Sequence, residues 1–296
     1  MKPPPFEYLR PDTLEQALQW LAETENAKLL AGGQSLMAML NLRYLFPDAL
    51  IDLNRLPELA DLAQHEGAVR IGAMVRQRTL EYSPLIQAEL PILIAALKHV
   101  GHRQTRNRGT IGGSLCHLDP SGELPTITLL YDAELEIASV VGRRRTAMRD
   151  FIAGYLTVNL APDEMLIGIE ITPWSEHHGH AFLEFARRHG DFAIASAACL
   201  VETNANGLVS RIALAAGGVG EVPLRLDAAE AMLIGTDAAP DLIERAASTV
   251  LDLPALEDIH ADPDYRHHVA FTLTKRAINH AMMVATPADH VAEANP

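Results

Sequence analysis

The sequence predicts an α+β fold on three grounds. Helical and strand periodicities alternate through the first half, three long strand candidates follow one another beyond residue 180, and helices close the chain. At 296 residues, 48% of them hydrophobic, the chain suits roughly two domains of ordinary size.

Leu14, Ala17, Leu18 and Leu21 fall at i, i+3, i+4, i+7 spacing, and Thr13 with Gln16 forms a capping box, so residues 12–23 read as an amphipathic helix. A short buried strand follows at Ala27–Ala31. Gly32-Gly33 breaks it, Ser35 is placed to cap a short helix reaching about Arg43, and Pro47 ends that unit before a strand at Ala49–Leu53. Next come a strand at Ala68–Met74, a helix over about Pro84–His99, the polar basic run His102–Arg108, and a second glycine pair at Gly112-Gly113. Pro120–Tyr131 reads as a short helix, and Ala133–Val140, Arg143–Met148 and Glu164–Thr172 as strands. Pro173-Trp174 and the polar HHGH stretch mark a boundary. Beyond it stand strands at Ala181–His189, Ile194–Glu202 and Leu208–Ala216, the last two joined by a hairpin at Asn204–Gly207. Helices at about Asp227–Leu233, Asp241–Val250 and Tyr265–Met283 complete the pattern, with a disordered tail from about Pro287.

A net charge of −14 excludes an electrostatic grip on nucleic acid or on an anionic membrane, because phosphates are repelled before specific contacts form. No apolar run approaches the roughly 18 to 20 residues that span a bilayer, and the start MKPPPFEYLR lacks the apolar core of a leader, so the chain reads as cytoplasmic. Cys116 and Cys199 are far apart and in no C-x-x-C spacing, which leaves an iron–sulfur cluster or structural zinc without cysteine ligands. His177, His178 and His180 read as a surface loop rather than a metal site. No G-x-S-x-G elbow offers a hydrolytic serine.

The two glycine pairs share one form, an apolar run followed by Gly-Gly and then a serine within two residues. Lacking Cβ atoms, such pairs let backbone N–H groups approach a phosphate, although each alone is equally an ordinary tight turn. Neither matches G-x-G-x-x-G or the P-loop. A third pair, Gly217-Gly218, reads as a strand-terminal turn. Arg103, Arg106 and Arg108, beside the second pair, are placed to neutralise a diphosphate, to sit in a solvated loop, or to dock an acidic partner.

On these residues the chain resembles the medium, FAD-binding subunit of the molybdenum hydroxylases, the group that includes carbon monoxide dehydrogenase and xanthine dehydrogenase. The carrying motifs run nearly its whole length: LLAGGQSL at 29–36, LIDLNRLPEL at 50–59, RNRGTIGGSLCHLDPSGELP at 106–125, ARRHGDFAIAS at 186–196 and AAGGVGEVPLR at 215–225. The resemblance implies a vanillyl-alcohol-oxidase-type FAD-binding domain over residues 1–175, with subdomains of about 1–57 and 58–175. It also implies a C-terminal flavoprotein domain of antiparallel sheet and helices over 176–290 and a tail at 291–296.

It implies site residues as well. Leu29, Leu30, Ala31, Gly32, Gly33, Gln34, Ser35 and Leu36, with Thr110, Ile111, Gly112, Gly113 and Ser114, are expected to wrap the FAD diphosphate and ribityl chain. Glu123 is expected to hold cofactor hydroxyls, Leu166 and Ile167 to touch the isoalloxazine, Val100 and His117 to line the cofactor, and Asp191 and Phe192 to lie near the flavin. Three departures stand out: Phe192 where some members carry tyrosine, Glu184 near where others carry a flavin-proximal lysine, and Leu118 for a commoner alanine. The resemblance assigns this chain no catalytic residue and no metal. It implies an electron outlet, in which FAD receives electrons from two [2Fe-2S] clusters on a small subunit, after hydroxylation at a molybdenum cofactor on a large one, in a dimer of heterotrimers. A stand-alone FAD-dependent oxidase or reductase, and a scaffold subunit without flavin, are the competing readings. Gly112→Val is expected to lose the cofactor and leave the fold largely soluble.

Overall fold

The computed structural model describes residues 2–285, so the expected tail lies outside the described residues. Helices and sheets mix throughout, in three sheets with a small hairpin beside them.

The first sheet is parallel, with β1 (Glu7–Leu9) and β2 (Ala27–Leu30) flanking β3 (Ala49–Asp52). Helix α1 (Leu14–Glu23) crosses between β1 and β2 and buries Leu14, Ala17, Leu18 and Leu21, the stripe that its spacing predicts. Thr13 caps it by accepting from Gln16 N at 3.2 Å, while the Gln16 side chain reaches back to Asp12 N at 2.7 Å. Helix α2 (Leu36–Asn41) follows β2, but Ser35 makes no side-chain cap.

The second sheet is antiparallel in the order β4-β5-β10-β6-β7. Its strands are β4 (Leu62–His65), β5 (Ala68–Gly72), β6 (Glu134–Ser139), β7 (Gly142–Ala147) and β10 (Met165–Ile171), and the hairpin is β8 (Ile152–Gly154) with β9 (Thr157–Val158). Helices α3 (Gln77–Tyr82), α4 (Pro84–Glu89), α5 (Pro91–Leu97), α6 (Arg103–Arg108), α7 (Ile111–His117), α8 (Glu123–Leu130) and α9 (Met148–Phe151) pass between β5 and β8. The single helix expected over 84–99 is two, because Pro91 lacks the N–H that would continue the ladder from α4. The basic run is helical in α6, and the second glycine pair lies inside α7 rather than in a loop.

The third sheet is antiparallel in the order β11-β12-β13-β14, formed by β11 (Gly179–Phe185), β12 (Ala195–Thr203), β13 (Val209–Gly217) and β14 (Leu224–Arg225). The predicted hairpin joins β12 to β13, with Gly207 at φ +74° donating to Asn204 O. Helices α10 (Asp227–Leu233), α11 (Pro240–Ser248) and α12 (Pro263–Val284) cover one face around Ala181, Cys199 and Val201. The other face puts Phe182, Ala198, Leu200, Ala213 and Ala215 into the core shared with α5 and α8. Strict alternation along β11 therefore points Phe182 and Glu184 toward the helices of the middle region.

Candidate functional site

Between β2 and α2 the chain runs through Ala31–Ser35 without regular structure, and the amide N–H groups of Gly32, Gly33, Gln34 and Ser35 find no acceptor among the described residues. Gly33 stands at φ +72°, which turns the backbone as an alanine would do only under strain. Gly32 is where backbone meets backbone: a Cβ there would lie 2.2 Å from Arg108 O and 2.8 Å from Gly109 Cα. A Cβ on Gly113 would stand 3.6 Å from the Ala31 Cβ. The two glycine segments thus converge, with the four free amides of Gly32–Ser35 on the first.

The second segment spends its amides internally. Ile111 N donates to Val75 O, Gly112 N to Ala73 O at 2.9 Å, and Gly113 N to the Thr110 side chain at 3.1 Å as the N-cap of α7. Gly112 permits close packing, since its Cβ would meet Ala73 Cβ at 2.6 Å and Ala73 O at 2.7 Å.

Two residues that sequence reasoning did not single out join these segments. Asn54 donates to Ala31 O at 3.0 Å, and Arg76 bonds both Asn54 Oδ1 and Arg108 O. Asp52 fixes Asn54 by accepting its backbone N–H at 2.9 Å. Burial pushes the Asp52 carboxyl up, but hydrogen bonds from Tyr8 and Asn54 hold it below its usual value, so it stays an anion. A cleft of about 180 Å³ lined by Asn54, Leu56, Met74, Val75, Arg76 and Thr79 opens beside this link. The signal for Asn54 was its place in LIDLNRLPEL; Arg76 lies in no motif.

Arg106 corrects the reading of a free basic run. It is buried, grips Glu81 through Nε at 3.0 Å and Nη2 at 3.2 Å, and donates to Val100 O at 2.9 Å, so its charge is already matched. Val100 is thereby held three residues beyond α5. The loop between β11 and β12 docks here: a Cβ on Gly190 would lie 2.6 Å from the His102 ring and 3.1 Å from Gly101 O. Asp191 and Phe192 on that loop are exposed, Phe192 at 69%. Ser121 donates to Ala193 O at 2.8 Å and Gly218 N to Pro120 O at 2.7 Å, which ties the third sheet to the segment between α7 and α8.

Glu123 opens α8, and burial pushes its carboxyl up to about 7, so it is partly neutral at ordinary pH and can donate as well as accept. His117 and Ser114 are half-buried on α7, with His117 Nε2 4.0 Å from Asp119. Leu166 and Ile167 are both buried and packed into different cores, Ile167 falling within the irregularity of β10 between Leu166 and Gly168. Leu29 and Leu30 are half-buried in β2. The Cys116 thiol is pushed up to about 12 by burial, and it and Cys199 are unpaired. The HHGH stretch is not all surface: His178 is 7% exposed, its ring between Trp174 and His180.

An open turn backed by a second glycine segment, in a chain of one parallel and two antiparallel sheets whose third sheet shares the core of the middle region, defines a mixed helix-and-sheet class. Residues 4–174 match the family described as the FAD binding domain in molybdopterin dehydrogenase, and residues 180–281 match the CO dehydrogenase flavoprotein C-terminal domain. The chain belongs to this family. It is 37% identical to the 6-hydroxypseudooxynicotine dehydrogenase complex subunit alpha of Paenarthrobacter nicotinovorans, over 97% of this chain and 98% of that one. Among solved structures it is similar to a chain of carbon monoxide dehydrogenase from Hydrogenophaga pseudoflava lacking the Mo-pyranopterin moiety of the molybdenum cofactor (TM-score 0.94, 35% identity, 97% and 100% covered). Another match is quinoline 2-oxidoreductase from Pseudomonas putida 86 (TM-score 0.92, 34% identity, 96% and 99% covered). Among the described residues no helix is long and apolar enough to cross a membrane.

Proposed function

We propose that this chain is the FAD-binding electron-transfer subunit of a molybdenum-containing hydroxylase, passing electrons from iron–sulfur clusters of a small partner to an external acceptor. The observation that carries it is the four amides of Gly32–Ser35, without an acceptor among the described residues and held open by the Cβ-free contact of Gly32 with Arg108 and Gly109. Such amides suit a diphosphate in an acidic chain, because they supply positive potential without side-chain cations. Asn54 and Arg76 fix the turn from below. Glu123, partly neutral, suits the hydroxyls of a ribityl or ribose chain. FAD supplies the ability to collect electrons singly and discharge a pair.

The protein's share of the work is placement. Thr110, Ile111, Gly112, Gly113 and Ser114 back the first glycine turn, Val100 and the Gly190–Phe192 loop close the far end of the site, and Leu166 and Ile167 in β10 anchor the sheet behind it in two different cores. We assign residues 1–175 to a vanillyl-alcohol-oxidase-type domain of two subdomains and 176–290 to the C-terminal flavoprotein domain. Large molybdenum-cofactor and small [2Fe-2S] subunits are the partners, as a cytoplasmic dimer of heterotrimers. The test is purification from the native host with flavin, molybdenum and iron assayed on one complex. Co-purification of all three supports the assignment; a flavin-free chain, or one that travels alone with its own oxidase activity, overturns it.

A further inference from the structure

Glu184 is a carboxylic acid placed where a carboxylate has no support. Its side chain is 3% exposed, Oε2 has no hydrogen-bond partner among the described residues, and His99 Nδ1 stands 3.7 Å from Oε1. Opposite it on β12 stands Ser196, whose buried Oγ also lacks a partner. The space between sheet and α8 is polar here: a Cβ on Gly217 would meet Thr126 Oγ1 at 2.6 Å and Ser196 Oγ at 2.7 Å. Glu184 lies beside His99, the residue before Val100, and within electrostatic reach of Glu123, a candidate cofactor residue.

We propose that Glu184 is a charge-compensating group of the cofactor site, a carboxyl kept neutral by its surroundings whose protonation is linked to the arrival of electrons on the flavin. The proposal rests on the functional reading above.

Burial first, and the Glu123 charge second, push the Glu184 carboxyl up to about 8. The other groups facing this pocket are accounted for. Arg106 and Asp119 act on Glu123 with opposite signs, Arg106 is already paired with Glu81, and Lys98 and His189 lower the basicity of His99. Burial is the largest cause of that last shift, which favours the neutral ring, and with its side chain 34% exposed His99 links the carboxyl to solvent. Helix α12 packs on the opposite face of the sheet and presents no charge to Glu184.

Two electrons from the iron–sulfur donors and one solvent proton convert FAD to its anionic reduced form. That new negative charge raises the affinity of a neighbouring carboxylate for a proton. Above about pH 8, where Glu184 has lost its proton, reduction therefore draws one further proton from solvent, forming the O–H bond on Glu184; re-oxidation releases it.

The test is a potentiometric titration of the flavin in the purified complex from about pH 6 to about pH 10, for wild type and Glu184→Gln. Parallel curves are expected below about pH 8, and above it a wild-type slope steeper by one proton per two electrons. The reduced-minus-oxidised infrared spectrum at high pH should gain a protonated-carboxyl band that Glu184→Gln lacks. Curves parallel at every pH, with the band unchanged, overturn the proposal while leaving the flavin assignment intact; a complex without flavin overturns both. If Glu184→Gln does not fold, Glu184→Asp serves instead. A shorter carboxyl at the same place should move the break in slope and the frequency of the protonated-carboxyl band, and an unmoved break and band count against the idea.

Discussion

Gly32-Gly33 lies in open backbone between β2 and α2, with its amides free, whereas Gly112-Gly113 is wound into the first turn of α7 with its amides spent on Ala73 and Thr110. The two pairs share a motif and differ in physical task. At the first, the missing Cβ atoms let backbone turn outward and meet Arg108 and Gly109; at the second, they let a helix sit against the end of β5. A glycine pair therefore marks close approach, and only the hydrogen-bond account tells whether the approach is to a ligand or to the protein itself.

The largest expected effect breaks the second pair. A valine at position 112 would drive its Cβ into fixed backbone, 2.7 Å from Ala73 O and 2.9 Å from Ala73 Cα, in a fully buried place. Overpacking of this kind costs about 1–3 kcal/mol or more. Gly112→Val should lose soluble protein as well as flavin, measured by recovery and by thermal melting, in place of the soluble apoprotein that the motif alone suggested. A normal melt with no flavin would restore the view of this pair as a ligand loop.

Gly32→Ala comes next. Its Cβ would push Arg108 O away and open the contact between the segments, leaving each element's own core untouched. Flavin-to-protein ratio in the purified chain should fall about tenfold, equivalent to roughly 1.4 kcal/mol of binding, with a smaller change in melting temperature. Equal losses of flavin and stability would mean the two pairs do the same structural work.

Glu184 sharpens a different contrast, between a buried acid and the paired acids of the surface. Its folded pKa of about 8 lies above its usual 4.5, so its stabilising contribution is full below about 4.5 and is lost as pH climbs through about 8. Glu164 behaves oppositely: bonded by Arg144, it is held down to about 2, and what it contributes is lost only in acid. Melting curves of Glu184→Gln should gain on wild type as pH rises over that window. A constant difference would place Glu184 in solvent contact.

Much of the architecture was legible because hydrophobic period and turn chemistry are local. The stripe of α1, the hairpin at Asn204–Gly207 and the long α12 follow from spacing, capping and glycine placement. What was not legible depends on contacts across the chain. Helix α7 was hidden because two glycines argue against a helix until Thr110 caps it and Ala73 packs on it. Arg106 read as a free cation because nothing local announces Glu81, 25 residues away. Arg76 was invisible for the same reason, since its role exists only where Asn54 and Arg108 meet.

The smallest effect separates the two pairs most cleanly. Thr110 Oγ1 accepts the Gly113 N–H, so Thr110→Ala removes one N-cap, worth about 1 kcal/mol, and frees that amide; Thr110→Ser keeps the bond. If the second pair serves packing alone, Thr110→Ala should cost stability, Thr110→Ser should restore it, and flavin retention should follow melting temperature in both. A freed Gly113 N–H that joined the four amides of Gly32–Ser35 would instead hold or tighten flavin while the protein weakened. The sign of the flavin change against the sign of the melting change, read on the same samples, decides whether the second segment reaches the ligand through its amides or only supports the segment that does.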